Sequence, residues 1–184
     1  DRRSGECLVL ITPDNERTMN TFLGSSSLLN ENDISKESIE NSDYLLIEGY
    51  LVTSDATLNV GISAINIAHE NNTKTVITLS DPNIVSYFRD NMMKLFNKKS
   101  HIIFCNEQEA LNFSQADNLK DAEIFLKELT DMYIITLGSK GAICFDGTSD
   151  HKITGHQVES KDFTGAGDMF LGAFMHKYSD TNIL

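Results

Sequence analysis

An α/β fold, built on a mostly parallel sheet with helices on both faces and joined to a small β hairpin, is what the sequence predicts. Two observations carry that reading. Short apolar, β-rich runs alternate with amphipathic segments of about a dozen residues, the pattern of strand–helix–strand units. Polar or glycine-rich turns follow several of the apolar runs, at the strand ends where such sheets bind ligands.

Taken in order, 7–11 and 18–22 read as short strands across a polar Pro13-Asp14-Asn15 turn, a hairpin. Residues 25–36 are polar and read as a loop leading to a short helix. The run 44–47 reads as a strand. Segment 56–70 carries Val60, Ala64, Ile67 and Ala68 on one helical face. A strand at 75–79 precedes a helix over 84–96 striped by Val85, Phe88, Met92 and Phe96. The run 102–105 is the next strand, 107–112 and 122–129 are helical, and 133–136 is a strand. Residues 142–145 then return as its antiparallel partner across the turn 138–141. Phe170, Ala173, Phe174 and Tyr178 recur at helical spacing near the end of the chain. No internal repeat, linker or low-complexity tract interrupts the series. The organisation expected is a partial β lid over 1–24 and an α/β core over 25–184.

At 184 residues the chain can bury a substantial core, and 40% hydrophobic with 23% charged residues is an ordinary globular composition. Fifteen Lys and Arg against 27 Asp and Glu give a net charge of −12, which argues against a non-specific nucleic-acid binder. Any anionic ligand must then be held by backbone N–H groups, a metal ion and a few placed cations. Cys7, Cys105 and Cys144 are odd in number, far apart and each in an apolar run, so they read as reduced core thiols of a cytoplasmic protein. No stretch approaches the roughly 18 apolar residues of a membrane span. His69, His101, His151, His156 and His176 are scattered without metal-ligand spacing. A Walker pattern is absent, as is a Gly-x-Gly-x-x-Gly after the first strands.

The chemistry concentrates in Asp162-Phe163-Thr164-Gly165-Ala166-Gly167-Asp168. Gly165 and Gly167 free the backbone to approach a ligand, and the helix that follows turns its unpaired N–H groups and positive dipole end toward an anion. Asp168 in the first turn either caps the helix or takes a proton from an attacking hydroxyl. Asn106 and Glu109, after the strand 102–105, have the spacing of a capping box. Gly138 and Gly141 shape a turn after Thr136 that can join a hairpin. Lys140 is solvated or close to a phosphate. Arg17 pairs with Asp14 or Glu16, or touches the transferred phosphate. Asp55 and Asp81 follow strands, and Asp81 before Pro82 fits turn initiation.

These motifs resemble the ribokinase-like carbohydrate kinases, the PfkB family. Its C-terminal signature, Asp-Thr-Thr-Gly-Ala-Gly-Asp, is matched at every position but Phe163. Asn106-Glu107-Gln108-Glu109 resembles the family's Asn-x-x-Glu motif. The stretch 136–141 resembles its nucleotide-binding turn, and the hairpin over 7–24 resembles its substrate lid. The resemblance implies ATP-dependent phosphoryl transfer to a hydroxymethyl group of a sugar or nucleoside, of the adenosine-kinase-like or sugar-kinase branch. It implies Asp168 as general base, with Gly165, Ala166 and Gly167 as the cradle for the phosphoryl oxygens. Asn106, Glu109, Thr136, Gly138 and Gly141 would bind the nucleotide, with Glu109 toward Mg2+. Asp162 and Thr164 would meet a monovalent cation such as K+. A homodimer through the lid is implied as well, and further segments of the family domain are expected before Asp1 and after Leu184. The alternative is a kinase-like domain that binds a ligand or partner without chemistry.

Overall fold

The structure is a computed structural model that describes residues 3–12, 17–158 and 163–181. It divides into two compact units, Asp1–Leu29 with Gln157–Leu184, and Asn30–His156.

The first unit contains the antiparallel pair β1 (Glu6–Ile11) and β2 (Arg17–Phe22), in register from Glu6 opposite Phe22 to Ile11 opposite Arg17. Every residue of β1 is exposed, Cys7 included, so the expectation that all three cysteines are core residues fails for Cys7. A hairpin with apolar side chains on both faces has no interior of its own in which to bury that thiol.

In the second unit the elements follow α1 (Lys36–Glu40), β3 (Tyr44–Glu48), α2 (Asp55–Glu70), β4 (Lys74–Thr78), α3 (Pro82–Tyr87), α4 (Arg89–Lys94) and β5 (Ser100–Asn106). Then come α5 (Glu107–Ser114), α6 (Leu119–Leu129), β6 (Thr130–Thr136), β7 (Ala142–Phe145) and β8 (Asp150–Ile153). The sheet order is β3-β4-β5-β6-β7-β8, parallel through β6 and antiparallel for the last two pairings. Parallel strands shielded on both faces should be apolar at successive positions. Val76 with Ile77, Ile102 with Ile103, and Ile134 with Ile135 are each at most 1% exposed. One set, Ile77, Ile103, Tyr133 and Ile135, shares a core with Ala64 and Ile65 of α2, Val85 of α3, Met92 of α4, Phe113 of α5 and Leu126 of α6. Phe113 is its centre, with Phe96 and Phe125 rings each at 5.4 Å.

Two departures from the sequence reading have physical causes. The expected helix over 84–96 is broken at Phe88 (φ −120°, ψ 27°). Arg89 there donates to the carbonyl of Phe113 at 2.8 Å and lies over the Phe125 ring, tertiary anchors that periodicity does not register. Strand β8 was not anticipated, because its four residues are all exposed and carry no apolar alternation.

At the N-terminal end of the sheet, the rings of His69 and His101 are 6.4 Å apart. Nδ1 of His101 accepts the Thr75 backbone N–H at 3.1 Å, which leaves the neutral ring's proton on Nε2. Nε2 of His69 is buried without a hydrogen-bond partner. Burial holds both imidazoles below the ordinary histidine value, helped by Lys98 at His69. At His101, His69 and Lys74 add to the lowering and Asp131 opposes it. The unfolded chain therefore binds more protons as pH falls through the ordinary value of about 6.5, so this contribution is intact above that pH and lost below it. Denaturant titrations at pH 7.5 and 5.5 should show a larger loss of stability for the parent than for a His69→Gln/His101→Gln variant. Equal losses would contradict the assignment.

Candidate nucleotide and phosphate site

Strand β5 ends where a buried carboxylate is locked in place. Asn106 caps α5 by accepting the Glu109 N–H at 2.8 Å, and Glu109 answers through both oxygens. One accepts the Asn106 N–H at 2.9 Å and the other its side-chain amide at 2.7 Å. This is a complete capping box, and it fixes the carboxylate's direction. Glu109 is 5% exposed, the one carboxylate in the buried set among the described residues. Burial raises it to about 7, with the charge of Asp81 adding and the Asn106 N–H opposing. A carboxyl group raised above its unfolded value of about 4.5 stabilises the fold at low pH, and that contribution is lost as pH rises through about 7.

The neighbouring strand continues the site. Thr136, the last residue of β6, is the register partner of Asn106. Its hydroxyl faces the Cys105 carbonyl at 3.5 Å. The next turn closes with the Leu137 N–H on the Gly141 carbonyl at 2.8 Å and has positive φ at Gly138 (58°) and Gly141 (104°). Among the described residues nothing lies within 4 Å of where a Cβ of Gly138 would stand, so none of them covers that face of the turn. Lys140 is exposed and 3.7 Å from Glu107, the first residue of α5. Asn106, Glu109, Thr136 and the glycine turn thus share the C-terminal edge of the sheet, where parallel sheets take ligands.

Two residues there do something the sequence did not mark: Asp81 acts on Glu109 through its charge, and Ser80 holds a positive-φ backbone. Asp81 does initiate the turn, accepting the N–H groups of Asn83 and Ile84, and its charge reaches Glu109. Ser80 holds φ +69°, unusual for a residue with a side chain, and its hydroxyl accepts the Gly49 N–H at 2.8 Å. No sequence pattern marks Ser80. Asp55 is the first residue of α2, and it is exposed.

The signature motif belongs to the first unit. Gly165 (φ +75°) leads into α7 (Ala166–Thr181), whose first helical bond runs from the Met169 N–H to the Gly165 carbonyl at 2.8 Å. The N–H groups of Gly167 and Asp168 therefore fall in the turn that lacks helical acceptors. The Ala166 N–H donates to the Phe163 carbonyl at 3.1 Å. Among the described residues, no contact lies within 4 Å of the Cβ positions at Gly165 or Gly167. Asp168 is exposed in the first turn, as are Thr164 and Phe163. The half-buried stripe of α7 is Leu171, Phe174, Met175 and Tyr178, not one running through Phe170 and Ala173. Asp162 and the Arg17 side chain, with Asp14 and Glu16, lie outside the described residues.

Magnesium fits the second-unit residues through water. Both Glu109 oxygens already accept from Asn106, yet each keeps lone-pair capacity, and the ion takes only one or two protein carboxylates. Among the described residues no group of three or more His, Cys, Asp or Glu could hold a metal directly.

Fold and motifs together define a class: a parallel α/β chain with an Asn-x-x-Glu cap, a glycine turn and a Gly-x-Gly-Asp helix start. The chain belongs to the pfkB family of carbohydrate kinases, whose pattern matches residues 1–183. It is 29% identical over 192 residues to a ribokinase of Dictyostelium discoideum, covering 94% of this chain and 58% of that protein. Over 195 residues it is 23% identical to an adenosine kinase of Schizosaccharomyces pombe, covering 94% and 56%. The adenosine kinase structure from Sinorhizobium meliloti superposes with TM-score 0.89 at 28% identity, covering 96% of this chain and 54% of that one. A putative ribokinase II from E. coli, solved with ATP and Mg2+, gives TM-score 0.84 at 19% identity over 95% and 58%, a likeness of fold alone. The chain spans little more than half the length of these relatives. Among the described residues no helix is long and apolar enough to cross a membrane.

Carbon-13 NMR of the Glu109 carboxyl should give a titration midpoint near 7, moving toward the ordinary value in Asp81→Asn. A midpoint near 4.5 in the parent would contradict the electrostatics described here.

Proposed function

We propose that the chain carries the nucleotide-binding and catalytic part of an ATP-dependent kinase that phosphorylates a hydroxymethyl group of a sugar or nucleoside. The observation that carries the reading is the start of α7: a positive-φ glycine, an unobstructed Gly167 and an exposed carboxylate at Asp168 in one helical turn. A carboxylate beside an anion site repels the ligand, so its position there needs a chemical task. The membership of the pfkB family supports the same task.

In this mechanism the acceptor hydroxyl oxygen attacks the γ-phosphorus of ATP. Its proton passes to the carboxylate of Asp168, and the bond from γ-phosphorus to the bridging oxygen breaks to release ADP. The N–H groups of Gly165, Ala166 and Gly167 hold charge developing on the phosphoryl oxygens. The Ala166 N–H exchanges its Phe163 carbonyl for the anion to do so. Asn106 and Glu109 position Mg2+ and the β/γ phosphates, while Thr136, Gly138 and Gly141 contact the nucleotide. The ion, when bound, neutralises phosphate charge. Asp162 and Thr164 are assigned to a monovalent cation such as K+, beside a Phe163 that departs from the family pattern. The hairpin within residues 1–24 is assigned to the substrate lid. Its exposed Leu8, Leu10, Ile11, Met19 and Phe22 support a homodimer contact there. The unpaired thiols of all three cysteines agree with a cytoplasmic protein.

Magnesium-dependent ATP consumption, assayed against adenosine, ribose, fructose and other sugars, should reveal turnover with one acceptor class. Asp168→Asn should lower kcat by about 10²–10⁴-fold while nucleotide affinity stays near the parent's. A mutant within tenfold of the parent would sink the assignment of the base. Nucleotide binding without turnover on any acceptor would favour the non-catalytic domain instead.

A further inference from the structure

The turn at residues 138–141 has one open face and one face in hard contact with backbone. Among the described residues no atom approaches the Cβ position of Gly138 within 4 Å. At Gly141 a Cβ would stand 1.9 Å from the Ile153 carbonyl oxygen, 2.6 Å from the Gly155 nitrogen and 2.8 Å from the Thr154 carbonyl carbon. The contact is mutual. A Cβ on Gly155 would meet the Ser139 carbonyl oxygen at 2.5 Å and the Gly141 nitrogen at 3.0 Å. The chain leaving β8 therefore presses main chain against main chain on the back of the turn. Backbone atoms cannot rotate away as a side chain can, so any added carbon must move the turn or the tail.

Gly155 differs from the other glycines of this hairpin in why it is glycine. Gly141 and Gly147 have positive φ (104° and 95°), a conformation that itself favours glycine. Gly155 is absent from the positive-φ residues, so the requirement at this position is steric and comes from the turn alone. Gly147, by contrast, has a single atom near its Cβ position, the Asp131 carbonyl oxygen at 3.4 Å.

We propose that Gly155 is a positioning residue for the nucleotide-binding turn, its bare α-carbon letting the β8 tail set where Gly138 and Gly141 present their backbone to the nucleotide. The inference rests on the reading that this turn contacts the nucleotide. It adds a residue fourteen positions downstream of Gly141, outside the four motifs, and makes β8 part of the nucleotide site's support.

Calorimetric titration of the full chain with ADP and Mg2+ tests it, using the parent, Gly155→Ala and Gly147→Ala. Displacements near 1 Å can cost up to about 100-fold, so Gly155→Ala should weaken ADP by about tenfold or more. Its kcat at saturating ATP and its acceptor KM should stay within about threefold of the parent's, the signature of lost nucleotide positioning. Gly147→Ala strains the same hairpin but should leave ADP affinity unchanged, which separates displacement of the turn from general destabilisation. Parent-like affinity in Gly155→Ala overturns the inference while leaving the nucleotide reading intact. A parent that binds no ADP overturns both. If Gly155→Ala does not fold, amide exchange of the parent decides: ADP should slow exchange at Gly155 together with Ser139 and Gly141. Protection at the turn without Gly155 counts against the proposal.

Discussion

The reciprocal bonds between Asn106 and Glu109 are the constraint on which the second unit's functional edge depends. They join the end of β5 to the start of α5, so the geometry of a strand is handed directly to a carboxylate. Burying that carboxylate is costly unless its oxygens are satisfied, and here Asn106 satisfies both. The residual penalty shows as a raised proton affinity, with the charge of Asp81 adding to it. A divalent ion brought beside this carboxylate would offset its desolvation and lower its proton affinity.

On a chain of net charge −12, any anionic ligand would have to be held in the same local way. Long-range attraction is unavailable, so donors must be local and preorganised. Among the described residues, the positive-φ glycines at 138 and 165 leave backbone uncovered, and the start of α7 supplies N–H groups without helical acceptors. At the opposite end of the sheet the polar groups are directed inward instead. Thr73 donates to Ile39, and Thr130 donates to Met132 and Ser100. The sheet's two ends are thus chemically unequal, one sealed and one open.

Much of this was legible in the residues. The strands at 75–79, 102–105 and 133–136 could be placed because both faces are buried and the apolar runs are continuous, and 44–47 because its run is equally apolar although Leu46 is exposed. Asn106 with Glu109 could be placed because a capping box has fixed spacing. What escaped has a common cause: it depends on contacts distant in sequence. The break at Phe88 follows from Arg89 reaching Phe113. The edge strand β8 carries no apolar signal, since backbone pairing to β7 holds it. The strained φ of Ser80 is supported by Gly49, thirty-one residues away. Cys7 lies in an apolar run that the hairpin leaves exposed, which composition alone does not distinguish from core.

The central claim is that the C-terminal edge of this sheet receives a nucleotide with magnesium. Amide chemical shifts recorded while ADP and Mg2+ are added test it most directly. The account predicts saturable shifts at Asn106, Glu109, Thr136, Gly138 and Gly141, with Thr73, Ser100 and Thr130 at the far end unmoved. Shifts confined to the far end, or none at the Asn106 cap and the glycine turn despite binding, would contradict it.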